Sequence, residues 1–103
     1  MLHIRPEQMA VLAEVARREL ERRAAEHLRS KGREVPERFV RDAIARATAL
    51  GFQSEEELLE VLEIESALGA DFEDSQERRI LGQTRFSTSA RLRIIRGLRE
   101  EVS

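Results

Sequence analysis

Apolar residues recur in this chain at every third and fourth position, in runs that each stop at a glycine. Met9, Leu12, Val15, Ala16, Leu20, Ala24 and Leu28 draw one stripe, and Phe39, Ala43, Ile44, Ala47 and Leu50 draw a second. Leu58, Leu59, Val61, Leu62, Ile64 and Leu68 draw a third. An α-helix turns every 3.6 residues, so this spacing gathers side chains on one face of a helix, whereas a strand would scatter them over both faces. Gly32, Gly51, Gly69 and Gly82 stand where these runs end, and glycine tolerates the backbone reversal that closes a helix. The pattern predicts an all-α chain.

The starts are as legible as the stops. Pro6 has no amide hydrogen to leave unpaired at a helix start and predicts a first helix reaching about Lys31. Pro36 suits the same position of a second helix. Ser54 followed by Glu57 matches the reciprocal serine–glutamate cap and predicts a third helix over Glu55 to Leu68. Ala70 to Asp74 reads as a loop that turns Phe72 back into the core, and Asp74 or Ser75 then caps a short helix through Leu81. Ser87 caps a last helix from Thr88 to about Val102, with Leu92, Ile95, Leu98 and Val102 inward and Ile94 off the stripe. All connections are short, which favours antiparallel neighbours. The expected fold is a compact bundle of four main helices plus one short helix, in a single domain over residues 1–103.

Little in the sequence supplies chemistry. There is no cysteine, which removes disulfides, thiolate metal sites and thiol nucleophiles. His3 and His27 are the two histidines, and no motif for phosphate cradling, zinc hydrolysis or a serine nucleophile accompanies them. Asp71, Glu73 and Asp74 form the best metal candidate but lack the spacing and central glycine of a calcium loop. Glu56 with Glu60, or Glu60 with Glu63, would repel on a wet helix face rather than share a proton. The reading is therefore no enzyme, no metal and no cofactor. A helix-turn-helix built on the second and third helices would present an acidic recognition helix, and the net charge is −2, so nucleic acid is not the expected partner. No apolar run approaches a signal peptide or the roughly 20 residues of a membrane span, which makes a cytoplasmic, non-membrane protein the expectation.

Binding another protein is what remains. The third helix carries more apolar arc than one face needs, so it is either central or offers a second face to a partner. Charge is also segregated. Residues 54–74 hold nine acidic side chains and no basic one, and residues 75–103 hold seven arginines against three glutamates. The simpler consequence is surface pairing of the acidic and basic helices, and the other is a basic face for an acidic partner. Val61 and Ile64 on the third helix, and Ile94 with Arg91 on the last, are the candidate partner-binding residues.

Several short stretches carry a likeness: Ile4-Arg5 with Glu7-Gln8-Met9, His27-Leu28-Arg29, Gly51-Phe52 with Ser54-Glu55, Leu68-Gly69 with Asp71-Phe72, Ile80-Leu81, and Ser87-Thr88-Ser89-Ala90-Arg91. Together they resemble a family of small helical proteins encoded beside the spike and PAAR proteins of bacterial type VI secretion systems. The resemblance implies an accessory of a secreted effector, spike or PAAR protein, acting as an adaptor or chaperone. An immunity protein that neutralises a cognate toxin, or a structural homo-oligomer such as a homodimer, is the alternative.

If Ile64 and Ile94 face a partner, replacing both by Asp weakens partner capture and leaves the far-UV circular dichroism intact. Loss of helicity would instead place them in the core.

Overall fold

Caps and closing turns set the helix boundaries. The structure, a computed structural model, describes the backbone of residues 6–102 and the side chains of residues 13–100. Its helices are α1 (Pro6–Ser30), α2 (Glu37–Ala49), α3 (Glu55–Leu68), α4 (Gln76–Leu81) and α5 (Thr88–Val102), with a 3-10 turn at Gly69–Asp74 between α3 and α4. Among the described residues there is no strand.

Three serines start helices as the sequence predicts. The Ser54 hydroxyl accepts from the Glu57 amide at 3.2 Å, Ser75 from Arg78 at 3.1 Å, and Ser87 from Ala90 at 3.1 Å. Each satisfies an amide that has no partner within its own helix. Pro36 stands one position earlier than expected. Its ψ of 149° is extended, and its carbonyl accepts from Val40 at 3.4 Å, so it precedes the helix instead of opening it.

Gly51 ends α2 in a reversal that needs a φ of +100°, a region that costs a side-chain-bearing residue energy. The Gly51 amide donates to Thr48 at 3.0 Å and the Phe52 amide to Ala47 at 3.1 Å, the paired closure that satisfies two terminal carbonyls at once. This turn delivers Phe52 to the centre, where its side chain is fully buried. The stretch after Gly69 is not the open loop expected. It winds into a 3-10 turn whose Phe72 carbonyl accepts from the Ser75 hydroxyl at 2.6 Å, and Phe72 packs half-buried against the core.

The core has two adjoining parts, and α3 supplies both. Leu58, Val61 and Ile64 join Ala47, Phe52, Leu81, Leu92 and Ile95 in one. Leu62 joins Ala24, Leu28, Val40, Ala43 and Ile44 in the other. Its wide apolar arc is thus accounted for by neighbours on several sides: α1, α2, α5 and the 3-10 turn all pack on it. Ile64 at 2 % exposure is a core residue, and Ile64→Asp would bury an unpaired carboxylate.

The stripe on α1 is buried only from Leu20 onward. Val15 is 59 % exposed and Ala16 is exposed as well. His3 and the side chains of Met9, Leu12 and Val102 lie outside the described residues. No described helix is long and apolar enough to cross a membrane.

Gly97 lies inside α5, and a methyl group there would meet nothing within 4 Å. Gly97→Ala therefore removes backbone freedom from the unfolded chain at no steric cost. It should raise stability by about 0.5–1 kcal/mol, seen as a Tm increase of roughly 2–8 °C. A Tm that stays put or falls would show that α5 is not helical at Gly97.

Candidate docking groove

The structure separates the four partner-binding candidates. Val61 and Ile64 are each 2 % exposed and Arg91 is 3 % exposed, whereas Ile94 is 45 % exposed. The expectation for Val61, Ile64 and Arg91 as accessible contact residues is therefore corrected. The first two were read as surplus apolar surface on α3, but neighbouring elements already cover that surface. Arg91 was read as a surface cation because arginine is seldom buried. Its position shows otherwise: four residues before Ile95 and seven before Leu98, it falls on the inward face of α5.

Arg91 acts inside the fold. Its Nη1 donates to the Leu50 carbonyl at 2.9 Å and the Leu81 carbonyl at 2.7 Å, and its Nε to the Phe86 carbonyl at 3.1 Å and more weakly to Ser87 at 3.4 Å. The guanidinium carbon stands 4.8 Å from the centre of the Phe52 ring. Leu50 caps the C-terminus of α2, and Leu81 is the last residue of α4. Carbonyls at such ends lack helical partners and carry the negative pole of the helix dipole. Two negative poles and an aromatic face thus receive one cation, and no carboxylate is paired with it among the described residues.

This clasp leaves a groove between α2 and α4, floored by α3, with a volume of about 520 Å³. Its walls are mostly apolar, with Leu50 on one side, Phe72 and Leu81 on the other, and Val61 beneath. Arg46 stands on the α2 rim, and Arg78 and Arg79 on the α4 rim. Arg78 pairs with Glu73 at 3.4 Å. Arg79 has no ion pair among the described residues.

Glu65 also lines the groove, at 4 % exposure. Arg46 reaches it with Nη2 at 3.1 Å and Nε at 3.4 Å, both on Oε1. Oε2 is buried without a partner, a deficit that costs about 1–3 kcal/mol for a polar group and more for a charged one. Burial pushes the Glu65 carboxyl above the usual range, opposed by the Arg46 charge and hydrogen bond and reinforced by Glu73. A carboxyl shifted upward in the fold favours folding while protonated, so its contribution is fully present at low pH and is lost as pH rises through the folded value.

Several other carboxylates of α3 are engaged in surface pairs. Glu60 accepts from Arg96 at 2.5 and 2.9 Å, which is the α3–α5 pairing the segregated charges suggest. Glu63 lies 3.0 Å from His27 Nε2 and 3.8 Å from Lys31, and Glu55 lies 3.2 Å from Arg23. Asp71, Glu73 and Asp74 are exposed on the 3-10 turn. Among the described residues no group of three or more side chains is placed to hold a metal ion. The groove with Glu65 was not anticipated from the sequence. Its one signal was position, since Glu65 falls four residues after Val61 and three after Leu62 in the most apolar helix.

Arg91→Met would leave the Leu50 and Leu81 carbonyls buried and unpaired, at a cost of about 2–5 kcal/mol. A lysine has no planar fork to serve several carbonyls at once, so Arg91→Lys should recover less than half of that loss. Urea midpoints of the two variants test this, and a full rescue by lysine would show that charge alone matters.

Comparison of the chain with protein families, curated proteins and solved structures finds no match.

Proposed function

We propose that this chain is a non-catalytic protein-binding accessory, an adaptor or chaperone for a type VI effector, spike or PAAR protein, that docks its partner in the α2/α4 groove. The observation that carries the reading is the apolar groove edged by Arg46 on one rim and by Arg78 and Arg79 on the other. Apolar walls supply the burial that drives association, and like-signed rims select the charge of what enters. Arg79, which has no ion pair among the described residues, favours a segment whose apolar side chains are flanked by Asp and Glu, with Arg46 and Arg78 beside it partly neutralised by Glu65 and Glu73. Grooves between helices commonly take such an amphipathic segment. The resemblance drawn from Ile4-Arg5 through Arg91 suggests the class of partner, and the groove is the docking place we propose for it.

Arg79 and Ala49 are exposed and line opposite sides of the groove. Replacing both by Glu removes one positive charge from the rims and adds two negative ones without touching the core. Tagged protein from the native host should retain a spike, PAAR or effector protein, and the double variant should retain about tenfold less or lower, because like charges set across an interface disfavour binding strongly. Equal capture by the variant, or capture of proteins of none of these classes, would remove the proposal.

A further inference from the structure

We propose that Glu65 carries its proton in the folded chain and that losing it loosens the 3-10 turn and α4, which makes the wall of the α2/α4 groove a pH-sensitive element of the fold. The proposal concerns the chain alone and does not depend on what the groove docks.

The Glu65 carboxyl is enclosed but served at one oxygen only. It is 4 % exposed, and Arg46 places both reaching nitrogens on Oε1, at 3.1 and 3.4 Å. Oε2 is buried with no hydrogen bond, and the nearby Ser66 hydroxyl donates to the Glu63 carbonyl at 3.1 Å instead. An ionised carboxylate shares its charge between the two oxygens, so part of it would rest on an atom that neither water nor protein reaches. A protonated carboxyl keeps the Arg46 contact through Oε1 and leaves a neutral hydroxyl at Oε2, which is far less costly to bury. The Arg46 side chain is 53 % exposed, so its own charge stays hydrated in either state.

The charges around the carboxyl do not offset its burial. Burial acts most strongly and favours the proton; the Arg46 charge and hydrogen bond on α2 act against it, and Glu73 on the 3-10 turn acts with it. On α4, Arg78 is paired with Glu73 at 3.4 Å, and Arg79 lines the groove without pairing with Glu65. α1 and α5 meet α3 at other carboxylates: Arg23 at Glu55, His27 and Lys31 at Glu63, and Arg96 at Glu60.

What gives way on ionisation is the segment with least to hold it. The 3-10 turn has no fully buried side chain and α4 has one, Leu81, whereas α2 buries four and α3 five. Local opening draws on such weakly packed stretches. Glu65, Phe72 and Leu81 line one groove, so outward movement of the turn and α4 brings water to the carboxylate and takes Glu73 away from it. The sign follows from the raised carboxyl: its stabilising contribution is whole below the ordinary glutamate value of 4.5 and is lost as pH rises through the folded value.

Amide hydrogen exchange of the full chain, corrected for the intrinsic rate at each pH, tests this against Glu65→Gln, whose side chain is neutral throughout. The amides to follow are those of α4 through Gly82, which donates to the Arg78 carbonyl at 3.1 Å. The ratio of variant to unaltered protection there should grow about fivefold or more between about pH 4.5 and about pH 8, the size expected from exposing one buried unpaired group. In α2 and α5 the ratio should grow less. Should Glu65→Gln lose helicity, Glu65→Met is equally uncharged, and the same growth with pH is expected of it. A ratio at α4 that does not change with pH would overturn the proposal. Growth of equal size in α2, α4 and α5 would overturn it too, because the proton would then stabilise the whole fold and not this segment.

Discussion

The contacts of the Arg91 guanidinium hold the ends of α2, α4 and α5 at one point. A buried cation is ordinarily a liability, since removing it from water costs several kcal/mol unless its surroundings replace the lost hydration. Here the replacement is made of carbonyls at two helix C-termini and of the Phe52 ring, none of which needs to be ionised. Gly51 belongs to the same construction: its reversal places Phe52 under the guanidinium, and a Cβ there would stand 3.6 Å from Arg91 Nη2.

The groove follows from this clasp. α4 has six residues and one fully buried side chain, Leu81, too little to fix its own position by apolar burial alone. Its last carbonyl is tied to α5 through Arg91, and the 3-10 turn ties its start to the end of α3. Held at both ends, α4 stands across from α2 with α3 as the floor, and Glu65 is enclosed there beside Val61. The acidic character of α3 is consistent with its central place. Its carboxylates reach Arg23, His27 and Lys31 on or beside α1, Arg46 on α2 and Arg96 on α5. The exposed members of this set contribute little stability individually, but the half-buried ones orient the neighbours around one axis.

The helices were legible in the sequence because their signals are local. Ser54, Ser75 and Ser87 cap the amides three residues ahead, and Gly32, Gly51 and Gly69 close the helices before them, whatever the tertiary context. The apolar stripe of α5 correctly placed Leu92 and Ile95 inside and Ile94 outside. What the sequence did not disclose depends on contacts between distant segments. The type of Arg91 suggests a surface residue although its register points inward, because its partners are carbonyls that no sequence pattern marks. Val61 and Ile64 look like free surface in the sequence because counting apolar residues on α3 does not say how many helices surround it. Val15 shows the reverse error. It lies on the α1 stripe, yet it is 59 % exposed. Glu65 was hidden among nine acidic residues, and only its neighbours set it apart.

The most direct test of this account is nuclear magnetic resonance of the arginine side chains at neutral pH. Hydrogen bonds to Leu50, Leu81 and Phe86 should give Arg91 separate, slowly exchanging guanidinium signals, while the exposed Arg93 and Arg99 exchange rapidly with water. Arg91 signals as averaged and as fast in exchange as those of Arg93 would contradict the clasp, and with it the origin proposed for the groove.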